Sequence, residues 1–204
     1  MSRDLLVATK NKKKLEEIKQ ILKGLKLRIR SLSDYPKVPR IIENGKTFKA
    51  NAAKKALTIA RFTGQLTLGE DSGLCVYALG GRPGVYSSRF AGKGKSDKKN
   101  NEKLLCLLGK APLKRRKAYY ACAVALANGN GLISTVEGRC SGAIAYEPKG
   151  SFGFGYDPVF IPPKFKKTFA QLEPSIKHSM SHRFRALTKA KRIIQKYIER
   201  HQGN

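Results

Sequence analysis

Tryptophan is absent from this chain, and acids are scarce: 14 Asp and Glu stand against 42 Lys and Arg, for a net charge of +28. That imbalance makes polyanions the natural partners, whether nucleic acid, nucleotides or an anionic membrane surface, without choosing among them. The lysines are dispersed along helices and loops, with no basic tail or low-complexity arm, so much of the excess also suits a solvated surface. No Cys-x-x-Cys pair or Cys/His spacing of a zinc site occurs. The four cysteines, Cys75, Cys106, Cys122 and Cys140, lie far apart and mostly in apolar surroundings. They read as reduced, buried thiols of a cytoplasmic protein. No apolar run approaches the ~18 residues needed to span a bilayer. Met1-Ser2-Arg3-Asp4 leads straight into an apolar strand, so no signal peptide is expected. With 204 residues, the chain can bury a core without staples, as one large domain or as two lobes sharing it.

Against this scarcity of acids, Gly69-Glu70-Asp71-Ser72-Gly73-Leu74 stands out. Gln65 to Leu68 predicts a short strand before it, and Leu74 to Leu79 a second strand after it. The acids are then expected at a Ser-Gly turn, where side chains can meet a ligand without joining the core. A plain turn, with Asp71 capping the backbone, is the other reading of those residues. An acidic pair in a basic protein suits a hard cation such as Mg²⁺ held against phosphate. Gly80 to Phe90 follows, its glycines and Pro83 fixing a tight backbone path.

Leu5 to Ala8 predicts a strand that turns directly into a helix, with an apolar stripe on Leu15, Ile18, Leu22 and Leu25. Such a turn aims helix N-terminal N–H groups at its contents. Thr9-Lys10-Asn11-Lys12-Lys13-Lys14 gathers four cations there, which suits a polyphosphate; a lysine-rich helix start in a lysine-rich protein is the alternative. Lys26 to Ser31 alternates like a half-buried strand, and Tyr35-Pro36 with Val38-Pro39 makes a rigid connection. A helix from Phe48 to about Phe62 is capped by Thr47, stops at Gly64, and puts Phe48, Ala52, Ala56 and Ile59 inward. Thr47, Asn51 and Lys55 share another face; such a polar stripe usually means solvent, except that this helix is the one delivering the chain to Asp71.

The basic segment Ala91 to Lys95 is expected to be flexible. A helix capped by Ser96 and ended by Gly109 follows, then a central strand from Arg116 to Ala127. A hairpin turn at Asn128 to Gly131 precedes an antiparallel return from Leu132 to Arg139, and Cys140 to Tyr146 continues or bends the sheet. Ser151-Phe152-Gly153-Phe154-Gly155-Tyr156-Asp157-Pro158 alternates aromatics with glycine, as flat stacking faces near a ligand or as a bulged strand entering a Pro-locked turn. Lys164 to Ile176 reads as a basic loop or short helix. A last helix begins near Ser181 and runs to about Glu199, with Lys177, His182 and Arg183 at its start as an anion or base-edge site.

In order, these segments resemble the inosine triphosphate pyrophosphatase family over almost the whole chain. Thr9 to Lys14 is similar to its Thr/Ser-x-Asn-x-x-Lys loop, and Glu43 precedes a Thr-Phe-x-x-Asn-Ala-x-x-Lys-Ala helix at Thr47 to Ala56. Glu-Asp-Ser-Gly-Leu, Leu-Gly-Gly-x-Pro-Gly-Val-Tyr-Ser-x-Arg-Phe, Phe-Gly-Tyr-Asp-Pro and Lys-x-x-x-Ser-His-Arg complete the pattern. Three departures are present: Lys49-Ala50 stands where bacterial members often place an acid, Glu70 replaces a common Asp although Glu also occurs there in the family, and the strongly basic surface is unusual for the family.

The resemblance implies an α/β fold with a long mixed β-sheet flanked by helices, and a single domain over 1–204 made of two lobes with a substrate cleft between them. It further implies a homodimer that cleaves a nucleoside triphosphate, with Mg²⁺, to monophosphate and pyrophosphate, clearing ITP, dITP and XTP from the nucleotide pool. By position, Thr9, Lys10, Asn11, Lys12, Lys13 and Lys14 would cradle the phosphates. Glu43 and Asp71 would hold Mg²⁺ with Glu70 close by, and Asp71 would be the catalytic base. Lys55 and Ser72 would touch the substrate, while Phe154, Gly155, Tyr156, Asp157, Lys177, His182 and Arg183 would line the nucleotide site. Two other readings are a related pyrophosphatase acting on modified nucleotides such as methylated pyrimidines, and a basic nucleic-acid-binding protein on an inactive scaffold.

Overall fold

A computed structural model describes residues 4–35, 37–94 and 96–201. The expectations placed on Met1 to Arg3, Pro36 and Lys95 lie outside those residues. Six strands form one mixed sheet in the order β2-β1-β3-β4-β5-β6. They are β1 (Asp4–Val7), β2 (Arg28–Ser31), β3 (Thr67–Val76), β4 (Lys117–Asn128), β5 (Gly131–Ile144) and β6 (Phe160–Ile161). β1 runs parallel to β2 and β3, whereas β5 and β6 pair antiparallel. Among the described residues five α-helices flank the sheet: α1 (Lys12–Ile21), α2 (Phe48–Thr63), α3 (Asp97–Leu108), α4 (Pro174–Met180) and α5 (His182–Arg200). No helix among the described residues is long and apolar enough to cross a membrane.

The contacts divide the chain into two compact units. The first takes residues up to Asp71, Cys122–Gly138 and Phe184 onward; the second takes Ser72–Ala121 and Arg139–Arg183. In the first unit the strands' alternation sorts the core. Leu5, Val7, Leu68, Val124 and Leu126 pack with Ile18 of α1, with Leu22 just after it, and with Leu187 and Ile194 of α5. Leu6 and Ala8 point the other way, toward Leu32 and Ile59. On that second face Ala52, Ala56 and Ala60 of α2 meet Ala123, Ala125 and Ala127 of β4. Each methyl there contributes only about 0.8 kcal/mol of burial, so the value of this seam lies in the closeness it permits. Thr47 caps α2 by accepting from Ala50 N, and Gly64 ends it in the left-handed conformation.

In the second unit a separate core gathers Leu74, Val76, Leu104, Leu108, Tyr120, Ile144, Tyr156, Phe160 and Phe169. Arg116 is fully buried there and donates to the carbonyls of Ile144, Ala145 and Gly109 at 2.8–3.1 Å. Burial holds its pKa below the ordinary arginine value.

Several expectations are corrected. Residues 67–76 form a single ten-residue strand rather than two strands about a Ser-Gly turn. Gly69 is a close-approach glycine: a Cβ there would lie 2.2 Å from Ala52 O and 2.6 Å from Ala56 N. Tyr77–Leu79 is a 3-10 turn, not the continuation of a strand. Leu25 lies beyond α1, and Cys106 is exposed rather than buried. The face bearing Asn51 and Lys55 is not a solvent stripe, since both residues are buried.

Candidate active site

The first unit supplies a loop and a set of acids. Where β1 ends, Thr9 Oγ1 accepts from Asn11 N, and Asn11 Oδ1 caps α1 by accepting from Lys14 N, both at 3.1 Å. These two side chains set the backbone of the basic loop. Lys10, Lys12 and Lys13 are exposed, whereas Lys14 turns inward and donates to Glu70 Oε2 at 2.8 Å. A crowd of cations at a helix N-terminus is unfavourable, and Glu70 offsets one of them.

Strand alternation separates the two acids that are neighbours in the chain. Asp71 lies on the side of β3 that meets α2, made close by Gly69. Its Oδ2 accepts from Asn51 Nδ2 at 3.1 Å and its Oδ1 from Lys55 Nζ at 3.2 Å. Asn51 also accepts from Gly45 N at 2.8 Å, which ties the segment bearing Glu43 to the same place. The Lys55 ammonium therefore lies among three oxygens: Glu43 Oε2 at 2.6 Å, the Glu70 carbonyl at 3.1 Å and Asp71 Oδ1. Burial opposes the charge on Lys55, but the fields of Asp71 and Glu43 outweigh it and raise its pKa. Burial also pushes the Asp71 carboxyl above the usual carboxylate range, against the pull of Lys55 and Lys14. Glu70 extends its carboxylate elsewhere, with Oε1 3.3 Å from Cys122 Sγ and Oε2 on Lys14.

Among the described residues no three His, Cys, Asp or Glu side chains gather as a ready metal cage. A hard cation does not need one. Mg²⁺ is commonly held by one or two carboxylates together with substrate phosphate, and the oxygens of Glu43, Asp71 and the Glu70 carbonyl already surround a cationic group. The donor set fits such an ion.

The second unit has a polar cluster of its own. Asp157 is buried; its Oδ2 accepts from Lys177 Nζ at 2.6 Å and Phe154 N at 2.9 Å, and its Oδ1 from Tyr120 OH at 3.3 Å. Burial and the Asp157 charge keep the Tyr120 hydroxyl protonated. The Tyr120 ring stacks on His182 at 4.5 Å and 8°. Arg183 Nη2 donates to Ser72 Oγ at 3.1 Å. Lys177 and Arg183 both lie over the Phe154 ring, at 4.7 and 5.6 Å. Gly155 is held by α3, its N donating to Asp97 Oδ2 and its O accepting from Asn101 Nδ2. Tyr156 belongs to the core, its hydroxyl donating to Ser87 O at 2.8 Å.

Within the first unit, then, Thr9, Asn11, Lys14, Glu43, Lys55, Glu70 and Asp71 are linked, while Lys10, Lys12 and Lys13 stand on the exposed side of the loop. Within the second, Ser72, Phe154, Asp157, Lys177, His182 and Arg183 are linked. Sequence reasoning assigned no role to Asn51, Tyr120, Cys122, Asp97 or Asn101. Asn51 was visible on the Lys55 face of α2. Tyr120 and Cys122 sit inside an apolar strand run, and their polar partners lie 37 and 52 residues away.

Comparison with known proteins gives a consistent answer. The model of the Ham1 family matches residues 5–193. A dITP/XTP pyrophosphatase of Desulforamulus reducens is 49% identical over 192 residues, covering 94% of this chain and 96% of that one. One from Geobacter sulfurreducens is 47% identical, covering 90% and 92%. A solved HAM1 protein from Coxiella burnetii superposes with a TM-score of 0.87 at 38% identity, covering 95% of this chain and 99% of that one. The Staphylococcus aureus Ham1 protein gives 0.86 at 34%, covering 96% and 100%. With its sequence matched nearly end to end, its fold shared with solved members and its acids and lysines gathered as described, this chain belongs to the Ham1 family.

Proposed function

We propose that this chain is a Mg²⁺-dependent pyrophosphatase of deaminated purine nucleoside triphosphates, acting on dITP, XTP and ITP. Its relatives, named dITP/XTP pyrophosphatases, make it a hydrolase of nucleoside triphosphates. The observation that carries the finer reading is the first unit's acid and lysine set, where oxygens of Glu43, Glu70 and Asp71 ring the Lys55 ammonium and Lys14 of the basic loop reaches Glu70. Binding polyanions alone gives no reason to keep such acids.

Glu43, Asp71 and the Glu70 carbonyl would hold the metal. When bound, Mg²⁺ draws charge off the phosphate and so eases attack on it. Asp71 accepts the proton of the attacking water at Oδ1 while Asn51 steadies Oδ2; its raised pKa suits a base. Water adds to the α-phosphorus, the bond from that phosphorus to the bridging oxygen breaks, and pyrophosphate leaves. Lysines of the basic loop, with Lys55, balance the charge on the phosphoryl oxygens.

In the second unit His182 and Arg183 supply donors for the 6-oxo group of hypoxanthine or xanthine. Adenine presents an amino donor instead, a mismatch worth on the order of 10⁴-fold. Asp157 fixes Lys177 beside Phe154.

The test is Mg²⁺-dependent pyrophosphate release across dITP, XTP, ITP, ATP, GTP and methylated pyrimidine triphosphates. Pyrophosphate from the first three with little from ATP is the expected result. Release of orthophosphate, or preference for the methylated pyrimidines, overturns the reading. Light scattering of the purified chain tests the dimer that the family resemblance implies.

A further inference from the structure

Glu70 and Asp71 are adjacent in sequence but face opposite sides of β3, and they have different companions. Asp71 meets Asn51 and Lys55 of α2. The Glu70 side chain is 1% exposed, and its oxygens accept from Lys14 Nζ at 2.8 Å and Cys122 Sγ at 3.3 Å. A carboxylate this buried is stable only when its charge is paired and its oxygens accept hydrogen bonds. Both donors come from defined elements: Cys122 from the middle of β4, itself 1% exposed, and Lys14 from the first turn of α1, 18% exposed at its side chain. The chain Cys122, Glu70, Lys14 thus runs from the core to the basic loop.

We infer that Cys122 and Glu70 form a positioning relay for Lys14. The Cys122 thiol fixes the Glu70 carboxylate, and that carboxylate fixes the Lys14 ammonium where the loop receives the phosphates. Cys122 touches no substrate and acts through its neighbours. The choice of cysteine fits the place. Packed among Leu68, Val124 and Ala186, the position needs a small apolar body, and the thiol adds a weak donor aimed at the acid. The relay rests on the proposed function insofar as Lys14 serves a triphosphate.

The test uses the full chain with Cys122→Ala, Cys122→Ser and Lys14→Met, singly and with Cys122→Ala added to Lys14→Met. Binding of inorganic tripolyphosphate is measured by calorimetry, alongside kcat and KM for dITP. Cys122→Ala is expected to weaken tripolyphosphate binding about fivefold, the scale of one ordinary hydrogen bond because the thiol is a weak donor, and to raise KM more than it lowers kcat. Cys122→Ser, which keeps a donor, recovers most of that loss. Adding Cys122→Ala to Lys14→Met costs little more. The relay is overturned if Cys122→Ala binds like the native chain, if serine does no better than alanine, if the losses add, or if the native chain does not bind tripolyphosphate. A native chain that binds tripolyphosphate but releases no pyrophosphate from dITP or XTP overturns the proposed function and leaves the relay to be judged on binding.

Discussion

At the scale of single residues, Asp71 and Asp157 are both buried acids, each with its own set of donors. Asp71 is gripped at one oxygen by Asn51 and faces Lys55 with the other. Asp71→Asn keeps the shape and removes the base, so kcat should fall by about 10²–10⁴ with the melting temperature little changed. Steady-state kinetics with a thermal melt checks both. In the second unit Asp157 gathers Lys177, Phe154 N and Tyr120 OH. Tyr120→Phe removes one donor from this buried acid and should cost about 1.5–3 kcal/mol, read as a lowered midpoint in urea.

At the scale of elements, legibility followed locality. The cap Thr47, the stop Gly64 and the hairpin residues Gly129 and Asn130 between β4 and β5 each act within a few positions, and each was readable from the chain. The break expected after Leu68 was not there. Gly69 reads as a turn residue, yet serves to admit the α2 backbone, and nothing local to residues 65–74 announces a helix twenty residues earlier. The same limit hid Cys122 and Tyr120, whose polar partners are distant in sequence. Aromatic alternation at 152–156 reads either as stacking faces near a ligand or as a bulged strand entering a Pro-locked turn. Tyr156 instead fills the core, because burial of a ring outweighs its display when its hydroxyl finds Ser87 O. Gly69→Ala should destabilise the chain by about 1–3 kcal/mol and also lower activity, since it lifts α2 and with it Asn51 and Lys55 away from Asp71. Paired denaturation and activity measurements test that link; a stable, fully active variant contradicts it.

At the scale of the whole molecule, most of the 42 Lys and Arg are not among the candidate site residues. Some acids are engaged in ion pairs, including Asp4 with Arg28 and Glu147 with Lys149, and 14 acids against 42 cations leave the excess of +28. Dispersed surface cations bind polyanions weakly and release counterions as they do so. Any association with single-stranded DNA should therefore fall steeply between 50 and 200 mM salt, by about 10³–10⁵ if several phosphates are contacted. Fluorescence anisotropy reads it. Asp71→Asn should leave that binding unchanged, which separates a surface property from the reaction.

The alanine seam between α2 and β4, with Gly69 beside it, occupies the bottom of the amino-acid size range. Natural drift there moves mainly toward bulk, because only glycine is smaller than alanine, and in a helix or strand it costs backbone stability. In a library that randomises these positions, the survivors should be nearly uniform, and any tolerated enlargement should arrive with a shrinking partner across the contact. Closeness of this kind is inherited as a fixed gauge.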